Sequence, residues 1–185
     1  ILLTHEHSDH TAGLDDIRPF YFEQGNLSFF AHKRVFENLH QRFAYIFETV
    51  NKYPGAPTID EIEIDKNTPF LLGDKNIIPI EAFHGKLAVL GFKIDGVAYL
   101  TDVKTIAKSE LEKLKGIEVL IINTLRHEKH HSHLNLAEAL ELIKEIKPKK
   151  TYLTHISHTL GFHREVEKTL PKNVYLAYDT LKLKL

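Results

Sequence analysis

Apolar residues along this chain keep two rhythms, and the changes from one to the other predict its elements. The unbroken run Ile1-Leu2-Leu3-Thr4 reads as the end of a buried strand. Residues 10–17 read as a short helix, stopped by Pro19. Leu27 to Ala31 predicts a strand. Between 33 and 47 the positions Val35, Phe36, Leu39, Phe43 and Phe47 hold a spacing near 3.6 residues, which predicts one helix over the whole stretch. Pro54, Gly55 and Pro57 mark 51–58 as a loop. Strands follow at 59–65, 70–72, 76–83, 88–94 and 97–101, with Asp95-Gly96 as a hairpin turn between the last two. The remainder alternates: helix 110–115, strand 119–123, amphipathic helix 136–146 ended by Pro148, strand 151–154, helix 164–170, and strands 174–177 and 180–185. No repeat, low-complexity run or linker interrupts the pattern, so residues 1–185 are expected to form a single domain.

Composition narrows the function classes. Hydrophobic residues make up 43% and charged residues 26%, as in a soluble globular protein with a sizeable core. The formal net charge is −1, which argues against a large basic surface for gripping a nucleic-acid polymer. No apolar run approaches the roughly 20 residues that cross a bilayer, so no membrane partner is expected. The chain contains no Cys, which removes disulfides and thiolate metal ligands and points to the cytoplasm. It opens inside an apolar strand without an initiator Met, so a stretch of strands is expected upstream.

The 13 histidines change the picture most, because imidazole is both the commonest metal ligand and the usual acid or base near neutral pH. Four apolar strands each run into a ligand-type residue: Leu2-Leu3-Thr4 into His5, the 78–83 run into His84, Tyr99-Leu100-Thr101 into Asp102, and Tyr152-Leu153-Thr154 into His155. If these strand ends share one edge, the side chains converge. The sharpest pattern is Thr4-His5-Glu6-His7-Ser8-Asp9-His10. His5 and His7, two apart on an extended segment, point to one side and can chelate one ion. Asp9 and His10 can face a second as the chain turns into a helix. Carboxylate and imidazole donors suit zinc, manganese or iron.

These stretches resemble the metallo-β-lactamase superfamily, and within it the phosphoribosyl cyclic phosphate phosphodiesterases and the tRNA 3′-processing endonucleases. The matching motifs are residues 2–10 with Gly13-Leu14-Asp15-Asp16, then His84-Gly85-Lys86, Thr101-Asp102, His133-Leu134-Asn135 and 153–158, in the family's order. The resemblance implies an α/β fold, a four-layer αββα sandwich here lacking its N-terminal strands. It implies two divalent metal ions, one held by His5, His7 and His84, the other by Asp9, His10 and His155, with Asp102 bridging. Zinc is expected first, with manganese or iron as alternatives. In the same frame His133 faces the substrate as general acid, and Asp9 orients a water that the ions acidify. His158 matches a position that in some relatives joins upstream cysteines at a structural zinc, so it is not assigned to catalysis.

The function so implied is a dinuclear metal-dependent hydrolase, a phosphodiesterase acting on a small cyclic or ribose phosphodiester. Two other readings stay open: an RNA-processing endonuclease of the same fold, and a metal-binding protein without activity. The aromatic segment 38–58, with Phe43, Tyr45, Phe47 and Tyr53, is not basic. It reads as a lid or a homodimer contact rather than an arm for nucleic acid. Arg126 and Lys129 are candidates to hold a phosphate. His32, His40 and His163 read as surface or capping residues.

Overall fold

Alternating apolar residues bury one face of a strand, and the partner each strand finds decides where its ends lie. In the computed structural model residues 1–183 are described, and the chain divides into two compact units, one ending at residue 67 and one beginning at residue 68.

In the first unit, β1 (Leu27–Ala31) pairs in parallel with β2 (Ile59–Glu63). The opening run 1–4 is less than a full strand. Leu2 makes a single parallel bridge to Phe30, through Leu3 N–H to Phe30 O at 3.0 Å and Phe30 N–H to Ile1 O at 2.8 Å. Residues 8–24 then form α1 (Ser8–Thr11), a 3₁₀ segment (Ala12–Ile17) and α2 (Arg18–Gln24). Pro19 starts α2 instead of stopping the helix before it. Proline lacks an N–H and has φ preset near the helical value, so the first turn of a helix suits it. The single helix expected over 33–47 is two: α3 (Lys33–Arg42) and α4 (Ala44–Phe47), parted at Phe43, whose φ of −124° and ψ of 40° leave the helical range. The His32 side chain caps α3 by accepting the Arg34 N–H at 3.2 Å. His40 stacks on Phe47 with ring centroids 4.0 Å apart and meets Glu61 at 2.8 Å. Leu14, Ile17, Phe29, Val35, Phe36, Leu39 and Ile46 form the core, with Phe43, Tyr45 and Phe47 packed against it. Of the four aromatics in the expected lid, only Tyr53 is exposed.

The second unit is built on one sheet, ordered β10-β9-β8-β6-β5-β4-β3, with the short β7 (Thr105–Ile106) beside β4. Its members are β3 (Phe70–Leu72), β4 (Lys75–His84), β5 (Leu87–Ile94), β6 (Val97–Leu100), β8 (Val119–Asn123), β9 (Lys150–Thr154) and β10 (Val174–Leu176). The expected hairpin is present, with Asp95 at φ 50°, the left-handed conformation that the turn requires. From β6 through β10 the pairing is parallel, whereas β3 to β6 are antiparallel. Two reversals, β4 to β5 and β5 to β6, bring β4 back to the direction of β6. Thus β4, β6, β8 and β9 all end at the same edge.

Leu100, Leu120, Ile122 and Leu153 are fully buried on this sheet. They share a core with Leu111 of α5 (Lys108–Lys113), with Leu136, Ala139 and Ile146 of α6 (Leu136–Ile146), and with Val166 of α7 (His163–Glu167). Asn135 and Glu138 close a capping box at the start of α6, which meets two of the N–H groups that a helix start leaves unpaired. Residues 180–183 carry no strand, contrary to the alternating pattern there. The last two residues of that expected strand lie outside the described residues.

At the other end of α6, Lys147 is left-handed with φ 56° and ψ 51°. A side chain pays a Cβ clash in that conformation and glycine does not. Relief of the left-handed clash, worth roughly 1–2 kcal/mol, exceeds the entropic cost of glycine, so Lys147→Gly is expected to raise the unfolding free energy by about 1 kcal/mol, read as a higher urea midpoint with unchanged slope.

Candidate metal centre

Each unit holds its own group of donors. In the first, the bridged segment 1–4 delivers His5, fully buried, and the chain stays extended as far as His7 before α1 begins. His5 Nε2 and His7 Nδ1 lie 3.0 Å apart. His10 Nε2 and Asp9 Oδ2 lie 3.4 Å apart, and the His5 and His10 rings are 4.2 Å apart. The other nitrogen of His5, Nδ1, shares a hydrogen bond of 3.0 Å with Thr4 Oγ1, which fixes the ring's rotation.

Three residues that the sequence reading did not single out hold this loop. Arg34 grips Glu6 with both arms of its guanidinium, Nε to Oε1 at 2.8 Å and Nη2 to Oε2 at 3.2 Å. Arg42 donates to the Glu6 carbonyl at 2.9 Å and to Thr11 Oγ1 at 2.8 Å, and Thr11 in turn donates to the His7 carbonyl at 2.9 Å. Glu6 lies between the two histidines, so the bidentate pair sets the pitch of the segment that carries them. Charged residues on an amphipathic helix look like any solvated face, and nothing in their spacing pointed to this task.

In the second unit the shared edge brings together His84, the last residue of β4, Asp102, two residues past β6, and His155, one past β9. Asp102 is 1% exposed. Its Oδ1 is 3.3 Å from His155 Nε2, it accepts from Thr101 Oγ1, and ligand atoms of His84 and Asp102 lie within 4.8 Å of one another. His84 Nδ1 donates to the Ser132 carbonyl at 2.8 Å. That bond fixes the tautomer and leaves the lone pair on Nε2, the usual state of a ligating imidazole. His155 has φ 54°, a left-handed backbone of the kind found where a side chain must be aimed.

His133 joins the same cluster. Its ring is 4.4 Å from that of His84 and stacks on His155 at 4.9 Å. Its Nδ1 is 3.8 Å from Asp102 Oδ2, too long for a hydrogen bond. Burial pushes its pKa down to about 4. Asp102 opposes that fall, and the neighbouring His84, His155 and His130 add to it. The ring is therefore neutral at pH 7. The other histidines of the loop sit further out: His130 is 4.9 Å from His133 and 4.3 Å from His131. Arg126 donates to the Lys129 carbonyl at 3.1 Å and so folds the loop on itself. His158 lies in an exposed 3₁₀ turn.

These donor sets fit divalent ions. Two ligands of one tetrahedral ion with metal–nitrogen distances near 2.0–2.1 Å sit about 3.3 Å from each other. The pairs His5–His7, Asp9–His10 and Asp102–His155 are at 3.0, 3.4 and 3.3 Å. All donors are imidazole nitrogens or carboxylate oxygens, the borderline set that zinc, manganese and iron accept.

Residues 1–156 match the family model described as Beta-lactamase superfamily domain, a stretch that takes in the first unit and most of the second. The chain is 38% identical over 183 residues to an octanoyltransferase of Porphyromonas gingivalis (strain ATCC BAA-308 / W83), covering 98% of this chain and 37% of that protein. It thus spans little more than a third of that relative. Among solved structures it is similar to a new diphosphatase from the PhnP family, with 32% identity and a TM-score of 0.90, over 100% of this chain and 70% of the other. Human tRNase Z, short form, matches with 17% identity and a TM-score of 0.70, over 98% of this chain and 76% of the other, a likeness of fold alone. The fold is that of the metallo-β-lactamases. Among the described residues no helix is long and apolar enough to cross a membrane.

The left-handed backbone at His155 makes a comparison of two substitutions informative. Glycine accepts φ 54° without a Cβ clash and alanine does not. Measured by urea unfolding on metal-free protein, His155→Gly is expected to be about 1 kcal/mol more stable than His155→Ala, and both are expected to bind less metal than the parent.

Proposed function

The chain belongs to the beta-lactamase superfamily, and from that footing we propose that it is a metal-dependent hydrolase of phosphodiesters that uses a pair of divalent ions. His5, His7 and His84 would hold one ion, Asp9, His10 and His155 the other, and Asp102 both. The observation that carries this reading is the buried Asp102 carboxylate, with a His155 nitrogen at ligand spacing and His84 at the same sheet edge. A carboxylate so deeply buried calls for compensating positive charge, which divalent ions held at this edge would supply. Zinc is the first choice, and manganese or iron would satisfy the same donors.

When bound, such ions supply Lewis acidity and lower the pKa of water toward neutrality. The rest is the work of this chain's side chains. Asp9 is exposed on its helix and can turn one oxygen toward the attacking water. His133 faces the substrate from among His84, His130 and His155 and, being neutral, presents an N–H to the leaving oxygen. The general-acid role expected from the sequence requires the substrate's negative charge to draw its pKa upward. With two carboxylates among the donors the loaded site keeps a small positive charge, which favours a monoanionic phosphodiester.

The similarity to a PhnP-family diphosphatase at 32% identity supports a phosphoryl rather than an acyl substrate. The octanoyltransferase name belongs to a protein of which this chain matches 37%, too little to bring acyl transfer to these residues. Likeness to tRNase Z at 17% identity concerns the fold, and a net charge of −1 does not favour a nucleic-acid polymer.

Two variants test the assignment. Asp102→Ala is expected to lose both ions and all turnover together, with metal content read by plasma mass spectrometry and turnover with a chromogenic aryl phosphodiester. His133→Ala is expected to keep both ions and lose about 10²–10⁴ in rate. Wild-type turnover in either variant removes that residue from the mechanism, and a zinc- or manganese-loaded parent inert toward phosphodiesters removes the activity.

A further inference from the structure

Asn123 is fully buried at the end of β8 and has had no part in the site so far. The ladder between β6 and β8 stops at the pair Leu100–Ile122. One rung further, the chain leaves the sheet to carry Asp102, and Asn123 catches it again. Its Oδ1 accepts the Val103 N–H at 2.6 Å and its Nδ2 donates to the Val103 carbonyl at 3.0 Å. One side-chain amide thus gives and takes as a peptide group would, and it replaces the missing rung.

The same place ties down every other donor of the edge. The Val103 carbonyl also accepts Leu134 N–H at 3.0 Å, the residue after His133. Lys104 N–H donates to the Phe83 carbonyl at 2.8 Å, next to His84. Thr124, which follows Asn123, donates its N–H to the Thr154 carbonyl at 2.8 Å, next to His155. Asn123 therefore stands where the spacings of Asp102, His133 and His155 meet.

We propose that Asn123 is a positioning residue for the metal centre: its amide clamps Val103 and so sets the place of the Asp102 carboxylate relative to His133 and His155. The proposal rests on the reading of Asp102 as a metal ligand. It follows from the chemistry of the amide. A buried residue kept for packing alone would have no need of a donor and an acceptor aimed at one backbone unit, and an unpaired amide there would be costly.

The test uses Asn123→Asp, which is isosteric, keeps the acceptor for Val103 N–H and sets an oxygen against the Val103 carbonyl. Asn123→Ala removes both bonds. Leu120→Ala, a large-to-small change on the same strand, serves as the control for stability alone, and Asp102→Asn tests the underlying reading. Cobalt(II) affinity is measured by competition with a chromophoric chelator, together with the visible absorption of the bound cobalt and the melting temperature without metal. Asn123→Asp is expected to weaken cobalt binding by about 10- to 100-fold and to alter the cobalt spectrum. Leu120→Ala is expected to lose at least as much melting temperature while keeping parental affinity and spectrum. Parental affinity and spectrum in folded Asn123→Asp overturn the proposal, as does a loss of affinity in Leu120→Ala that matches it. If Asn123→Ala does not fold, the isosteric variant decides. Should Asp102→Asn keep parental affinity, the ligand reading falls and the proposal with it. If Asp102→Asn loses metal and Asn123→Asp does not, only the proposal falls.

Discussion

The common direction of β4, β6, β8 and β9 is the constraint on which the second unit's chemistry depends. Strands running the same way end at the same edge, and side chains at or just past those ends have rigid backbone behind them. His84, Asp102 and His155 reach that edge from three different strands, although His84 and His155 lie 71 residues apart in sequence. The two antiparallel turns that lead from β4 to β6 matter as much as the parallel pairing after it. A single reversal would have put His84 at the opposite end of the sheet.

The donors here are held by partners that act both on their rings and on the backbone that carries them. The Ser132 carbonyl fixes the tautomer of His84. Arg34 and Arg42 fix the loop between His5 and His7 through Glu6. Asn123 fixes the chain one residue after Asp102. Metal affinity depends on such outer contacts because ligands that must first be ordered give up part of the binding free energy. The left-handed His155 fits the same pattern, since local backbone strain is tolerated where the surrounding packing over-determines the conformation.

Departures from the expected elements have local causes. Pro19 was read as a stop, yet the chain before it is 3₁₀ rather than α, and proline then opens a new helix. Phe43 keeps the helical spacing of its neighbours because it still packs on the same core, even though its backbone has left the helix. Apolar spacing reports which side chains are buried, and burial survives a break that hydrogen bonding does not.

Most strands and the helix at 136–146 were legible from hydropathy rhythm and turn residues, and the donor chemistry was legible from the motif that begins at His5, because these signals are local. Strand order was not legible, since pairing partners are chosen across long sequence separations by the packing of whole faces. For that reason the sequence could propose that strand ends converge, while the sheet alone decides which edge each reaches. The clamp of Asn123 on Val103, the carbonyl behind His84 and the depressed pKa of His133 belong to the same class. Each arises where distant segments of the chain pack together, and no periodicity in the chain records it.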